Sequence, residues 1–162
     1  MSEQPPGERD IGTTAERRGV RIGVDVGSVR VGIAVSDPNG ILATPLVTLA
    51  RAKDGSDIGE LAGLVGVHEA VEVIVGLPIG LSGRDGTAAD LARAYAAELA
   101  AHVAPVPVRL VDERLTTVSA ERVLRDRGVR GKARRKVVDQ AAAVVILQAA
   151  LDTERARWRK TE

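Results

Sequence analysis

The chain has 162 residues, 44 % apolar and 28 % charged, with a net charge of +1, which suits one domain with a real core and gives no overall bias toward a polyanion. It has no Cys, two His, one Tyr, one Trp and no Phe. Disulfides and thiolate metal sites are thereby excluded, a zinc site is disfavoured because His68 and His102 lie far apart, and there are no aromatic platforms for stacking single-stranded bases.

Residues 1–18 are polar, with Pro-Pro-Gly and Thr-Thr, and predict a disordered tail ahead of one domain over 19–158. The start of the chain has no apolar core of a secretory signal and no run reaches membrane-spanning length, so a cytoplasmic protein without membrane contact is expected. Val20 to Val26 and Arg30 to Ser36 are short, β-branched and split by Gly27-Ser28, which predicts a hairpin. Asp37-Pro-Asn-Gly is a turn signal, and Ile41 to Leu49 supplies a third strand. Asp54 to Val67 reads as a helix despite its glycines, and Val71 to Val75 as a buried strand.

A glycine-rich loop is expected from Gly76 to Gly86, then an Ala-rich packing helix over Thr87 to His102 and a strand over Val106 to Val111. Thr116 to Arg127 has the Ser/Thr start and Gly128 stop of a helix. Gly128 to Arg135 reads as a basic loop, and Asp139 as the residue opening a last, largely apolar helix that runs to about Trp158. Five strands interleaved with helices predict an α/β fold, a mixed five-stranded β-sheet with helices on both faces.

Three acidic sites stand out in this order. Asp25 is a carboxylate inside an apolar strand, which costs several kcal/mol, roughly, unless a cation or hydrogen bonds compensate it. Asp112 and Glu113 end another apolar strand, and side-chain alternation lets only one of the two share a face with Asp25. Asp139 precedes the last apolar run, where a helix N-terminus would favour an anion. Separately, each is compatible with a hydrogen-bonding or capping role. Together they are the donor set for a hard divalent cation, Mg²⁺ or Mn²⁺, and two such ions about 3.5–4 Å apart activate water and neutralise a phosphodiester.

From Ala120 to Lys136 the basic residues Arg122, Arg125, Arg127, Arg130, Lys132, Arg134, Arg135 and Lys136 face only Glu121 and Asp126. Such a local run on a near-neutral chain is either a solvated surface or the footprint of a phosphate backbone.

The segments DVGSVRVGIAVSD (Asp25–Asp37), VIVGLP (Val73–Pro78), DERLTT (Asp112–Thr117) and DQAAAVVIL (Asp139–Leu147), in this order, resemble the YqgF/RuvX family over about Gly19 to Leu151. That resemblance implies a ribonuclease H-like fold similar to the RuvC-type resolvases. It implies nuclease activity in 5′-end processing of pre-16S rRNA during ribosome biogenesis, and for some members Holliday-junction resolution. It assigns Asp25, Glu113 and Asp139 as catalytic metal ligands, with Asp112 the alternative to Glu113. RuvC carries a further acid beside its last one; Gln140 to Ala143 supplies none here, which bears on a second metal.

Arg30, Arg114, Thr116, Thr117, Arg130, Lys132, Arg134, Arg135 and Lys136 are the expected nucleic-acid contacts, to pre-rRNA or branched DNA. Acting on a four-way junction would need a symmetric homodimer; acting on RNA ends would not need more than a monomer. A nuclease-like RNA-binding assembly factor that does not cut is the competing expectation. A sugar-kinase-like phosphotransferase would need a second such domain, for which the chain is too short.

Overall fold

The computed structural model describes residues 18–78, 86–113 and 132–161, with side chains in the last stretch described from 140 to 157. Five strands form one sheet: β1 (Arg21–Val26), β2 (Arg30–Ser36), β3 (Ala43–Ala50), β4 (Glu72–Leu77) and β5 (Val108–Asp112). Three described helices accompany them: α1 (Ser56–Val67), α2 (Gly86–Val103) and α3 (Lys132–Thr161). The spatial order is β3-β2-β1-β4-β5. The first three strands are antiparallel neighbours, while β4 joins β1, and β5 joins β4, in parallel. The expected mixed five-stranded sheet is thus present.

Side-chain alternation divides the core in two. Ile22, Val24, Val31, Ile33, Val73 and Val75 meet Ile58 and Leu61 of α1 and Ala92, Tyr95 and Leu99 of α2 on one face. Ala34, Ala43 and Ile74 meet Ala142, Ala143, Ile146, Leu147, Ala150 and Leu151 of α3 on the other. With so few aromatics the α3 layer is built close. A Cβ on Gly23 would stand 2.6 Å from Leu147 Cβ and 3.0 Å from the Ala143 carbonyl oxygen, so only a glycine admits the helix there.

Three expectations change. The third strand begins at Ala43 rather than Ile41, because Asp37 accepts backbone N–H bonds from Asn39, Ile41 and Leu42 and holds 37–42 as a turn. Gly76 belongs to β4 rather than to a loop, since it pairs in register with Val111 of β5. The last helix begins at Lys132, seven residues before Asp139, so 132–135 are not loop and Asp139 is neither an N-cap nor in the dipole-bearing first turn. The run Lys-Ala-Arg-Arg-Lys after Gly131 consists of good helix formers and holds no breaker. The expected tail, the segment 79–85 and the expected 116–127 helix lie outside the described residues.

Candidate nuclease site

Asp25 is the fifth residue of β1 and only 2 % exposed. Gly23, two residues earlier, faces α3, so Asp25 does too. Its neighbour across β2 is Gly32, and the register that pairs Val24 with Val75 brings Gly76 of β4 beside it on the other side. A carboxylate flanked by two glycines has no side chain beside it on either adjacent strand, which leaves space for groups reaching in from elsewhere in the chain.

Glu113 fills part of that space. It follows β5 directly, shares the alternation of Val111, and is 1 % exposed. Its Oε1 stands 2.5 Å from where a Cβ on Gly76 would lie, and Ile146 Cδ1 of α3 is equally near that point. The absence of a side chain at Gly76 therefore lets Glu113 lean across β4 toward Asp25, beneath α3. Asp112 falls on the other side of the alternation. It lines a groove at the β5 edge of the sheet with Arg109, Val111, Thr153 and Arg157, beside the later turns of α3.

The direction of α3 sets the level of Asp139. Arg21, at the start of β1, bonds Glu154 at 3.3 Å, and Ala143 and Leu147 lie over Gly23, so α3 runs antiparallel to β1. Gln140 Nε2 donates to Thr48 Oγ1 at 3.1 Å, and Thr48 pairs with Gly32, the partner of Asp25. The helical turn carrying Asp139 is thereby held at the level of Asp25; the Asp139 side chain lies outside the described residues. So do the side chains of Lys132, Arg134, Arg135 and Lys136, and Arg114, Thr116, Thr117 and Arg130 altogether. Arg30 closes the turn that follows Asp25, with the Gly27 N–H donating to its carbonyl at 2.9 Å.

The two buried carboxylates fit a hard cation by donor chemistry, since oxygen ligands at a water-poor site suit Mg²⁺ or Mn²⁺. Among the described residues no group of three His, Cys, Asp or Glu side chains comes together. Sequence reading missed Gln140 and Thr48, which fix the level of α3. That position 140 carries no acid is plain from the sequence, but its partner on β3 is a long-range fact.

A sequence profile of the RuvX family, described as a Holliday junction resolvase, matches residues 19–153. A protein of Mycobacterium ulcerans named "Putative pre-16S rRNA nuclease" is 58 % identical over 154 residues, covering 95 % of this chain and 91 % of its own. One of the same name from a Nocardioides species is 59 % identical over 145 residues, covering 86 % and 92 %. Among solved structures, T. thermophilus RuvC in complex with a Holliday junction substrate superposes with a TM-score of 0.53 at 13 % identity, over 84 % of this chain and 96 % of that one. A second T. thermophilus RuvC structure gives a TM-score of 0.51 at 14 % identity, over 85 % and 96 %. These likenesses establish the RuvC-type, ribonuclease H-like fold. With the profile spanning every described strand, and relatives well over half identical along nearly their whole length, the chain belongs to the RuvX family.

Proposed function

We propose that this chain is a divalent-metal-dependent nuclease that hydrolyses phosphodiester bonds in 5′-end processing of pre-16S rRNA, in the cytoplasm, during ribosome biogenesis. The observation that supports the reading is that two nearly inaccessible acids, Asp25 and Glu113, belong to the α3 face of the sheet, with Glu113 over Gly76, the residue of β4 next to Asp25. A divalent cation held by both would offset the desolvation cost of burying two carboxylates there. The substrate assignment leans on the names carried by the relatives.

In this reading Asp25, Glu113 and Asp139 hold Mg²⁺ or Mn²⁺. Bound there, the ion supplies charge neutralisation at the phosphoryl oxygens and a water acidic enough to attack at neutral pH. Buried in the sheet, Asp25 and Glu113 keep the ion's protein side free of bulk water and fix its depth. Gln140, through Thr48, sets the height of the helix that brings Asp139. Arg30, Arg114, Thr116, Thr117 and the basic run Arg130, Lys132, Arg134, Arg135 and Lys136 neutralise and orient the flanking phosphates.

The description of the matching profile favours a second substrate, a DNA four-way junction, which would require a homodimer. The test offers purified protein pre-16S rRNA, a four-way junction and plain duplex in millimolar Mn²⁺, beside Asp25→Asn and Glu113→Gln. Metal-dependent cleavage of the RNA, lost in both variants, is expected. Preferential cleavage of the junction by a dimer would transfer the assignment to DNA. Tight RNA binding without cleavage, unaltered by Asp25→Asn, would leave an assembly factor.

A further inference from the structure

A buried polar cluster lies on the sheet face opposite the acids. Arg51 follows β3 and reaches both ends of the link between β1 and β2. Its backbone N–H donates to the Val29 carbonyl at 2.8 Å, and its Nη1 donates to the Gly27 carbonyl at 3.2 Å. The guanidinium is itself held. Its Nε lies 3.5 Å from Asp57 Oδ2, and its carbon sits 5.0 Å from the centre of the Tyr95 ring. The Tyr95 hydroxyl donates to the same Asp57 oxygen at 3.1 Å, and the Ala52 N–H donates to the other at 3.2 Å. Asp57 is 3 % exposed and Tyr95 2 %.

We propose that Arg51, fixed by Asp57 and Tyr95, is a positioning residue for the Gly27–Arg30 turn, which borders Asp25 and presents Ser28, Val29 and Arg30 to the substrate. The activity part of this proposal rests on the nuclease reading above.

Three arguments carry it. First, beyond the Gly27–Arg30 hydrogen bond the two central residues of the turn have no strand neighbour among the described residues. Asp25 is clamped by neighbours on both sides, whereas Ser28 and Val29 are exposed and form no strand pair. Second, an ion pair between buried Asp57 and partly buried Arg51 adds little net stability over apolar side chains of equal volume, so its contribution is read as geometric. Here that geometry ends on the Gly27 carbonyl, two residues from Asp25. Third, the turn cannot be tightened from within. A Cβ on Gly27 would lie 2.7 Å from the Arg30 carbonyl oxygen, so the link is already closed as tightly as it can be, and the bonds from Arg51 are a further hold on it from β3's end. Burial, reinforced by the charge and hydrogen bond of Asp57, pushes the Tyr95 phenol well above its ordinary value, so its donor hydrogen is in place throughout the neutral range.

The test uses the full chain and two readouts. Removing Arg51 alone would strand the Asp57 charge, so the main variant is Arg51→Met with Asp57→Asn, which deletes both charges together. Arg51→Lys and Tyr95→Phe accompany it. Amide exchange by NMR should be faster by about tenfold or more at Gly27 and Arg51 in the double variant, with the Val73 amide of β4 unchanged. In saturating Mn²⁺, kcat should fall by about 10–100-fold with KM within roughly threefold, as expected when a substrate-facing turn is displaced but still present. Arg51→Lys should restore part of both effects, and Tyr95→Phe should give the same pattern more weakly.

Exchange at Gly27 that rises no more than at Val73, or a kcat at the wild-type level, would overturn the proposal. So would a kcat that drops only as the folded fraction drops. If the wild type cleaves none of the substrates, the nuclease reading fails by itself. The clamp is then decided by exchange alone, a selective rise at Gly27 and Arg51 supporting it and a uniform one overturning it.

Discussion

Gly76 is the residue on which the acidic site turns. Its missing Cβ leaves the space that Glu113 Oε1 and Ile146 Cδ1 both border at 2.5 Å. In Gly76→Ala either the carboxylate or α3 must move. We expect a loss of about 1–3 kcal/mol of stability from overpacking, together with loss of the Mn²⁺ response. Gly23→Ala should cost at least as much stability, because there the obstacle includes the backbone of α3, yet it should weaken Mn²⁺ binding less, since Gly23 lies two residues from the acid. Melting curves with chelator and with millimolar Mn²⁺ separate the two. A ligand at one hundred times its Kd adds about 2.7 kcal/mol to wild type, and that increment should vanish in Asp25→Asn and in Gly76→Ala. If Gly76→Ala keeps the full increment, the geometry inferred for Glu113 is wrong. Asp25 is legible in the sequence because an acid inside an apolar strand is costly. The preference for Glu113 over Asp112 comes from the family resemblance; its physical ground, the register of β5 against β4 and the glycine at 76, is a long-range feature that the residues alone do not display.

At the scale of elements, α1 and the β2–β3 turn carry opposite lessons. Helix α1 forms although Gly59, Gly63 and Gly66 are exposed and nothing lies within 4 Å of a Cβ at any of them. It holds through Ile58, Leu61 and Val65 packed on the sheet, so packing overrides propensity. Gly63→Ala should therefore stabilise by about 0.5–1 kcal/mol, seen as a rise of roughly 1–4 °C in Tm. A fall would mean that the exposed stripe is covered in the intact protein. The β2–β3 turn is held instead by one side chain. Burial acts to raise the Asp37 carboxyl, but N–H donation from Leu42, Ile41 and Asn39 outweighs it and keeps it below the ordinary carboxylate value. A lowered carboxylate contributes stability that is complete above its unfolded value near pH 4 and is lost as pH falls through the folded one. Asp37→Asn should hence cost stability at pH 7, and its deficit should shrink as the pH falls below about 4 and through the lowered folded value. A pH-independent deficit would assign the effect to shape. The sequence marks this turn through Asp-Pro-Asn-Gly, but it cannot show that Asp37 bonds as far as Leu42. It likewise hides the true start of α3, since the pattern of apolar residues begins later than the helix does.

Over the whole molecule, charge is distributed unevenly around a near-neutral total, and this asymmetry is what a nucleic acid would meet. The acids lie under α3, while Lys132, Arg134, Arg135 and Lys136 occupy its first turns, ahead of the turn held at the level of Asp25 by Gln140 and Thr48. The basic run therefore sits on the same helix as Asp139, one to two turns upstream, and not on a separate loop. The consequence can be measured. Replacing Arg134, Arg135 and Lys136 with Gln should weaken binding to pre-16S rRNA and to duplex alike, because phosphate contacts carry no sequence information. Each phosphate interaction removed should also flatten the dependence of log K on log salt by about 0.7 for single strands and 0.9 for duplex. Gln retains helix propensity, so α3 and the melting temperature should change little. The Mn²⁺ shift should persist, since the variant leaves Asp25, Glu113 and Asp139 intact. A triple variant with an unchanged salt slope would reduce the basic run to a solvated helix surface and move substrate binding to Arg30 and the 114–117 segment. A slope reduced by about two to three, with metal response intact, would establish the start of α3 as the phosphate-binding edge of the acidic site.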